Sequence, residues 1–229
     1  MGFLFSKKKM HTPEERRRIN NDKIKSLGIA CFENLPMIES STDVKIKDID
    51  TICKRAIASL FSIQVACDIA GGNDYEESKE FFFDFLIKYG VLDCLLEKEK
   101  RLFTGEYSQQ DVLDITWSYE TYWSLVWALG LVDDIDIPNS ICDCHKAVRL
   151  VGDSKNYRGF KKQCKLRDVE EILDMLDLYY RYHWAVVEKS LKPETSIANL
   201  DPGVVMERRR GLEWLFSAED DWNNISLDT

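Results

Sequence analysis

Residues 111–130 read DVLDITWSYETYWSLVWALG, and Trp117, Tyr119, Tyr122, Trp123, Val126 and Trp127 would spread round almost the whole circumference of a helix. A helix that is apolar on every side cannot lie on a surface, so this segment is expected at the centre of the fold, with Gly130 as its stop. Glu120 then has no exposed face to occupy. A carboxylate there must be paired, hydrogen-bonded or protonated, because an isolated buried charge is very costly.

Helix punctuation runs through the rest of the chain. Thr12-Pro13-Glu14-Glu15 combines an N-cap, a proline at the first helical position and a glutamate three residues on from the cap, with Gly28 as the stop. Asp48 caps a second helix running through Ile52, Ala56 and Phe61 toward Gly71-Gly72, and Asn73 or Asp74 opens a third that ends near Gly90. A fourth is expected from Leu92 to Phe103, and Ser108 or Gln109 opens the central one. Pro138 marks a loop, and a short helix follows from Cys144 to Val151. Residues 152–164, with Gly152, Gly159 and several basic side chains, read as an exposed loop. Asp168 with Glu171 opens a helix to about Leu191, Pro193 and Pro202 bracket a linker, and a final helix covers Gly203 to Ser217.

VKIK (44–47) has strand character but no partner segment, and the similarity of KIKDIDTI (45–52) to KLRDVEEI (165–172) reflects shared capping grammar. The expected fold is therefore all-α: a single compact multi-helix domain over residues 13–229 with a buried Trp-rich central helix. A basic leader over residues 1–12 precedes it.

The faces of the helices say which ionisable residues point inward. On the 168–191 helix, Val169, Ile172, Leu176, Tyr179 and Val187 share one arc, with Leu173 and Tyr180 at its edge and His183 in its middle. Glu170, Asp174, Asp177, Arg181 and Glu188 gather on the opposite side, where Asp177 reaches Arg181 at i,i+4 spacing. That acidic arc reads as a solvated or partner-binding face. Mg²⁺ fits it poorly, since a single helix contributes and Arg181 competes for the same carboxylates.

On the final helix, Val204, Leu212 and Leu215 define the apolar arc, Arg208 falls among them, Arg209 lies at the edge and Arg210 points away. The expectation is that Arg208 meets Glu120 in the interior with His183 close by. Such a trio either fixes how the helices pack or forms an acid/base and anion-binding constellation at the base of a pocket.

Charge and thiols narrow the partners. The net charge is −9, and residues 1–25 alone carry +5, leaving −14 on the remainder, a body that phosphate backbones repel. No nucleic-acid role is expected. Seven scattered cysteines point to reduced thiols in a cytoplasm, and Cys142-Asp143-Cys144-His145 lacks the paired spacing of a zinc site, so no metal and no cofactor are expected. Nucleophile motifs, phosphate-cradling glycine loops and HExxH are missing. MGFLFSKKK carries Gly2 and Ser6 in a myristoylation-like pattern, and residues 1–9 are suited at most to weak contact with a membrane surface. Three apolar residues cannot span a bilayer.

LPMIES (35–40), the W-x-x-E and WALGLVD elements at 117–133, LRDVEEILDMLDLYYRYHWAVVE (166–188), VVMERRRGLEWL (204–215) and the terminal WNNISLDT together resemble the mainly bacterial family of domain of unknown function 4272. The resemblance spans roughly residues 15–229. Its pattern includes residues matching Glu120, Asp177, Arg181, His183, Trp184, Glu207, Arg208, Asp228 and Thr229. The chain departs from it at Gly211 and Glu213, where the resemblance leads one to expect Ala and Asn, and at Asn223, where Asp is usual. The resemblance implies a bacterial, cytoplasmic, helical protein and supplies no activity; it also weighs against acylation of Gly2.

The leading expectation is a non-catalytic helical protein that binds another protein through an acidic surface, in a toxin-neutralising or regulatory role, with Glu170, Asp174, Asp177, Arg181 and Glu188 as the contact residues. The alternative is an enzyme or small-ligand binder using Glu120, His183 and Arg208 in a pocket. Trp222 is expected to anchor the C-terminal segment on the body.

Overall fold

Side chains that stand in for missing backbone partners set the helix starts. The computed structural model describes residues 10–229, so the acylation and membrane-contact expectations for residues 1–9 lie outside the described residues. Thr12 accepts from the N–H of Glu15, and Glu15 accepts from the N–H of Thr12, opening α1 (Pro13–Ser26) with a reciprocal cap. Single side-chain caps open six more: Asp48 for α2 (Ile49–Gly71), Asp74 for α3 (Tyr75–Tyr89), Asp143 for α6 (Cys144–Gly152), Asn156 for α7 (Tyr157–Gln163), Asp168 for α8 (Val169–Leu191) and Asp201 for α9 (Pro202–Trp214). Ser108 and Asp111 cap each other reciprocally at α5 (Gln109–Ala128), and α4 (Glu97–Thr104) follows a 3₁₀ turn at Leu92–Cys94.

The fold is all-α, with no strand among the described residues. VKIK runs as irregular chain whose last residue donates its N–H to the carbonyl of Leu215. The helices form a row in which α3 packs on α2, α2 on α5, α5 on α9, α9 on α8 and α8 on α1. α4 leans on α5 and α2, while α6 and α7 lean on α2. α5 is therefore central, as its aromatic circumference requires: Tyr122, Trp123, Val126 and Trp127 are buried. Tyr119 is half-buried, and Trp117 is exposed where it meets the first turn of α9 at Gly203.

Three boundaries differ from the sequence reading. Residues 152–164 are not an exposed loop: Asn156 caps α7, and a single fully buried side chain, Phe160, holds it on the core. One anchor in seven residues is too sparse a pattern to show periodicity. The fourth helix begins at Glu97, and the last ends at Trp214, after which Phe216 and Ser217 turn back onto the Glu213 carbonyl.

The C-terminal segment is packed. Trp222 is buried against the edge of Trp214, with the Arg55 guanidinium over its ring, and Arg209 donates to the carbonyls of Leu227 and Asp228. Residues 11 and 12 belong to the body too, because His11 bonds Asp174 and Thr12 caps α1.

Candidate functional site

Glu120, on the buried side of α5, receives Arg208 Nε of α9 at 2.8 Å and the backbone N–H of Cys142 at 2.6 Å. The predicted pair is therefore formed. Arg208 also donates to the Tyr179 hydroxyl of α8 at 3.4 Å and to the Ser140 carbonyl at 3.3 Å, and Tyr179 in turn donates to the carbonyl of Ile135. Arg167, lying over the Trp127 ring, adds bonds to the carbonyls of Val132 and Asp133. Buried backbone groups need partners, and these side chains supply them for the irregular segment between α5 and α6. Chemically the node is saturated: both oxygens of Glu120 are taken, and residue 120 is only 1% exposed.

His183 does not join this node. Its Nδ1 accepts from the guanidinium of Arg209 at 2.6 Å, and Arg209 is also held by Glu213, by the Tyr180 ring and by the C-terminal carbonyls. Burial, reinforced by the charges of Arg209 and Arg210, pushes the imidazole down from 6.5 to about 4. The candidates Glu120, His183 and Arg208 thus fall into two adjacent, closed clusters. The wheel placed Arg209 at the edge of the inward arc, and the structure buries it.

The acidic arc needs a larger correction. Asp177 and Arg181 are fully buried, Glu170 nearly so, and the surface that covers them is this chain's own α1. Arg16 donates to Glu170 at 2.8 Å and to Asp174 at 2.9 Å; Asn20 donates to Asp177 at 2.8 Å; the Asn21 side-chain oxygen accepts from Arg181 at 2.9 Å. Asp177 and Arg181 form a two-pronged pair, with bonds of 2.7 and 2.9 Å. Of the five residues expected to meet a partner, Asp174 and Glu188 keep partial exposure, and Glu188 pairs with Lys192. The missed signal is on α1, where Arg16, Asn20 and Ile24 recur every four residues as a polar stripe beside an apolar anchor.

Open places among the described residues include two that lie away from these clusters. Lys54, Arg55, Asp93, Cys94, Lys100 and Trp214 are among the residues lining a mixed-charge cleft of about 440 Å³ between α2, α4 and the C-terminal segment. Arg55 is clamped there on the buried carboxylate of Glu99 at 2.6 and 2.7 Å. The other is the outer side of α3, at the end of the helix row. Ser78, Leu86 and Tyr89 face α2, so Glu77, Glu80 and Asp84 form the outermost ridge, with Phe81 on one shoulder and Phe83 and Ile87 on the other. Phe81 and Ile87 are each 56% exposed. The run Phe81-Phe82-Phe83 was legible as a warning, since three consecutive residues 100° apart cannot all face a core.

Among the described residues no group of three or more His, Cys, Asp or Glu side chains could hold a metal ion, and no helix is long and apolar enough to cross a membrane. In the CxCH segment, the Cys144 thiol turns onto the Cys142 carbonyl at 3.6 Å.

A family model described as "Domain of unknown function (DUF4272)" matches residues 16–225. Comparison with curated proteins and with solved structures gave no match.

Proposed function

The chain belongs to the DUF4272 family, and from that premise we infer that it is a non-catalytic helical binding module that takes a protein partner on the outer side of α3. The observation that carries this reading is the exposure of Phe81 and Ile87 on the side of α3 turned away from α2, flanked by Phe83, whose ring also meets that of Phe103. Apolar side chains clustered on a charged surface favour association, because covering them removes apolar area from water. Glu77, Glu80 and Asp84 make the ridge acidic and exposed, so the fitting partner sets a lysine or arginine between apolar side chains. Toxin neutralisation or regulation is the kind of role such a module serves. The net charge of −9 and the unpaired cysteines accord with a bacterial cytoplasm and with a partner other than nucleic acid.

The alternative, an enzyme or small-ligand binder working through Glu120, His183 and Arg208, draws no support from the geometry. These side chains are closed from solvent and already bonded to the protein.

A photo-crosslinking residue at position 83, in the full chain expressed in its native host, tests the reading against the same probe at Leu191, an exposed apolar position on a different helix. One discrete adduct from position 83, lost on Glu80→Lys with Asp84→Lys, is the expected result. Identical adducts from both positions, or none from position 83, would overturn it.

A further inference from the structure

A buried donor in the cleft between α2, α4 and the C-terminal segment stands without an acceptor. Arg55 of α2 is only 3% exposed, and its guanidinium is fixed from three directions. It lies over the Trp222 ring, Nη1 donates to the Cys94 carbonyl, and Nη2 donates to both oxygens of Glu99 at 2.6 and 2.7 Å. The remaining donor, Nε–H, has no hydrogen-bond partner, although Arg55 lines a cavity of about 440 Å³. A guanidinium held this firmly cannot turn to find an acceptor, and a buried charged donor left unmet is costly.

The rest of the lining indicates what kind of molecule would meet it. Lys54, the preceding residue on α2, is half-buried there with its ammonium group. The start of α4 lies on the same cleft at Leu96, whose side chain makes no cap for the first-turn N–H groups. Those groups form the positive end of a helix, and together with Lys54 and Arg55 they favour an oxyanion. A third wall, from the C-terminal segment, brings the carboxylates of Asp220 and Asp221. Asp221 takes the two N–H donors of Asn223 on Oδ1 alone, which leaves Oδ2 for another donor, while Lys100 and Glu97 bond each other at 2.5 Å. A simple anion would be repelled by these carboxylates, and a simple cation would leave Arg55 unmet. A molecule carrying both charges answers both walls. The cavity is within the roughly 300–1,000 Å³ of small-molecule sites, and Leu95 and Leu96 give it an apolar portion.

We propose that this cleft binds a small zwitterion, an amino acid or short peptide with an apolar side chain. Its carboxylate accepts from Arg55 Nε–H and from Lys54 beside the start of α4, its ammonium meets Asp220 and Asp221, and its apolar part covers Leu95 and Leu96. Bound there, it joins α2, α4 and the C-terminal segment through one molecule. Among the described residues the lining includes none from α3, so the site stands whether or not that helix takes a protein partner.

The test follows the Arg55 Nε–H signal, assigned through bonds from the backbone, in proton–nitrogen NMR spectra of the full-length chain as L-leucine or trileucine is added. A saturable shift of that signal and of the Glu97 N–H is expected, and the tighter of the two probes distinguishes a free amino acid from a peptide. The same probe blocked at its amine by acetylation, or at its carboxylate as the amide, should bind at least about tenfold more weakly, the effect of losing one charged hydrogen bond. Lys54→Ala and Asp220→Asn change residues outside the core and should weaken binding by a similar factor without lowering the melting temperature. No saturable shift from either probe, equal binding of the acetylated probe, or binding unchanged in Lys54→Ala would each overturn the proposal.

Discussion

The guanidinium of Arg209 donates to Nδ1 of His183 across 2.6 Å, and because a guanidinium has no lone pair to offer, the imidazole is the acceptor. That fixes His183 as neutral, with its proton on Nε2. A second positive charge at this distance from Arg209 would be repelled, which agrees in direction with the imidazole's fall to about 4.

This relationship predicts acid lability. The unfolded chain protonates His183 near its ordinary 6.5 and the folded chain near 4, so the unfolded state binds more protons between those values. Stability from this group is complete above about pH 6.5 and declines as pH falls toward 4, by on the order of 2 kcal/mol. In His183→Gln the amide oxygen can still accept from Arg209 while nothing titrates. Urea unfolding at pH 7.5 and 5 should therefore show a smaller acid loss for the variant than for wild type; equal losses would mean that His183 does not carry the effect.

Glu120→Gln keeps the shape at the α5–α9 node and removes its negative charge. Arg208, 5% exposed, would be left as a buried cation facing an amide. Breaking a buried pair from one side costs about 3–5 kcal/mol, and the amide's remaining acceptor reduces that to about 2 kcal/mol or more. For a chain of this size the melting temperature should fall by roughly 2–4 °C per kcal/mol. An unchanged or raised value would mean the carboxylate is retained at a cost to stability, reopening the case for a working site there.

Asp177→Asn tests the claim that the acidic arc is an internal seam. Arg181 and Asp177 are both fully closed from solvent, and Asn20 of α1 binds the same carboxylate. The expected loss is about 3–5 kcal/mol, with α1 amides exchanging hydrogen faster than those of α5. A loss below about 0.5 kcal/mol, the range of an exposed pair, would restore the arc to the surface.

How much of this was legible follows from what a helical wheel contains. Caps are local, so Thr12, Asp48, Asp168 and their counterparts announce the helices from a few adjacent residues. The Glu120–Arg208 pair was legible because each residue stood out alone on an apolar arc, and two opposite buried charges need one another. The acidic arc misled because a wheel divides a helix into faces without saying what lies against the second one. Arg16 and Asp174 are far apart in sequence, and only the fold brings α1 over α8. His183 was assigned to the wrong arginine for a related reason: neighbouring residues differ by 100°, and which of Arg208 and Arg209 faces α8 depends on how α9 rolls between its neighbours.

That roll is set where α9 touches α5 most closely, and Gly211 is the residue at the contact. A Cβ built there would stand 2.7 Å from the Thr121 carbonyl oxygen and 2.9 Å from Ser124 Cβ. By helix propensity alone, alanine would improve the position by about 1 kcal/mol. Packing opposes this, because the first obstacle is backbone and cannot rotate away. Retreat by α9 would also strain two bonds across the seam, from Thr121 to the Glu207 carboxylate at 2.8 Å and from Ser124 to the Arg208 carbonyl at 3.0 Å. Overpacking of this kind costs about 1–3 kcal/mol. Gly211→Ala should therefore lose about 1 kcal/mol net and lower the melting temperature by roughly 2–4 °C. In Gly211→Ala combined with Thr121→Ser the hydroxyl bond is kept and the carbonyl obstacle remains, so the loss should persist. If the single variant instead melts higher than wild type, α9 backs away freely, and the closeness of the two helices is not what holds Arg208 on Glu120.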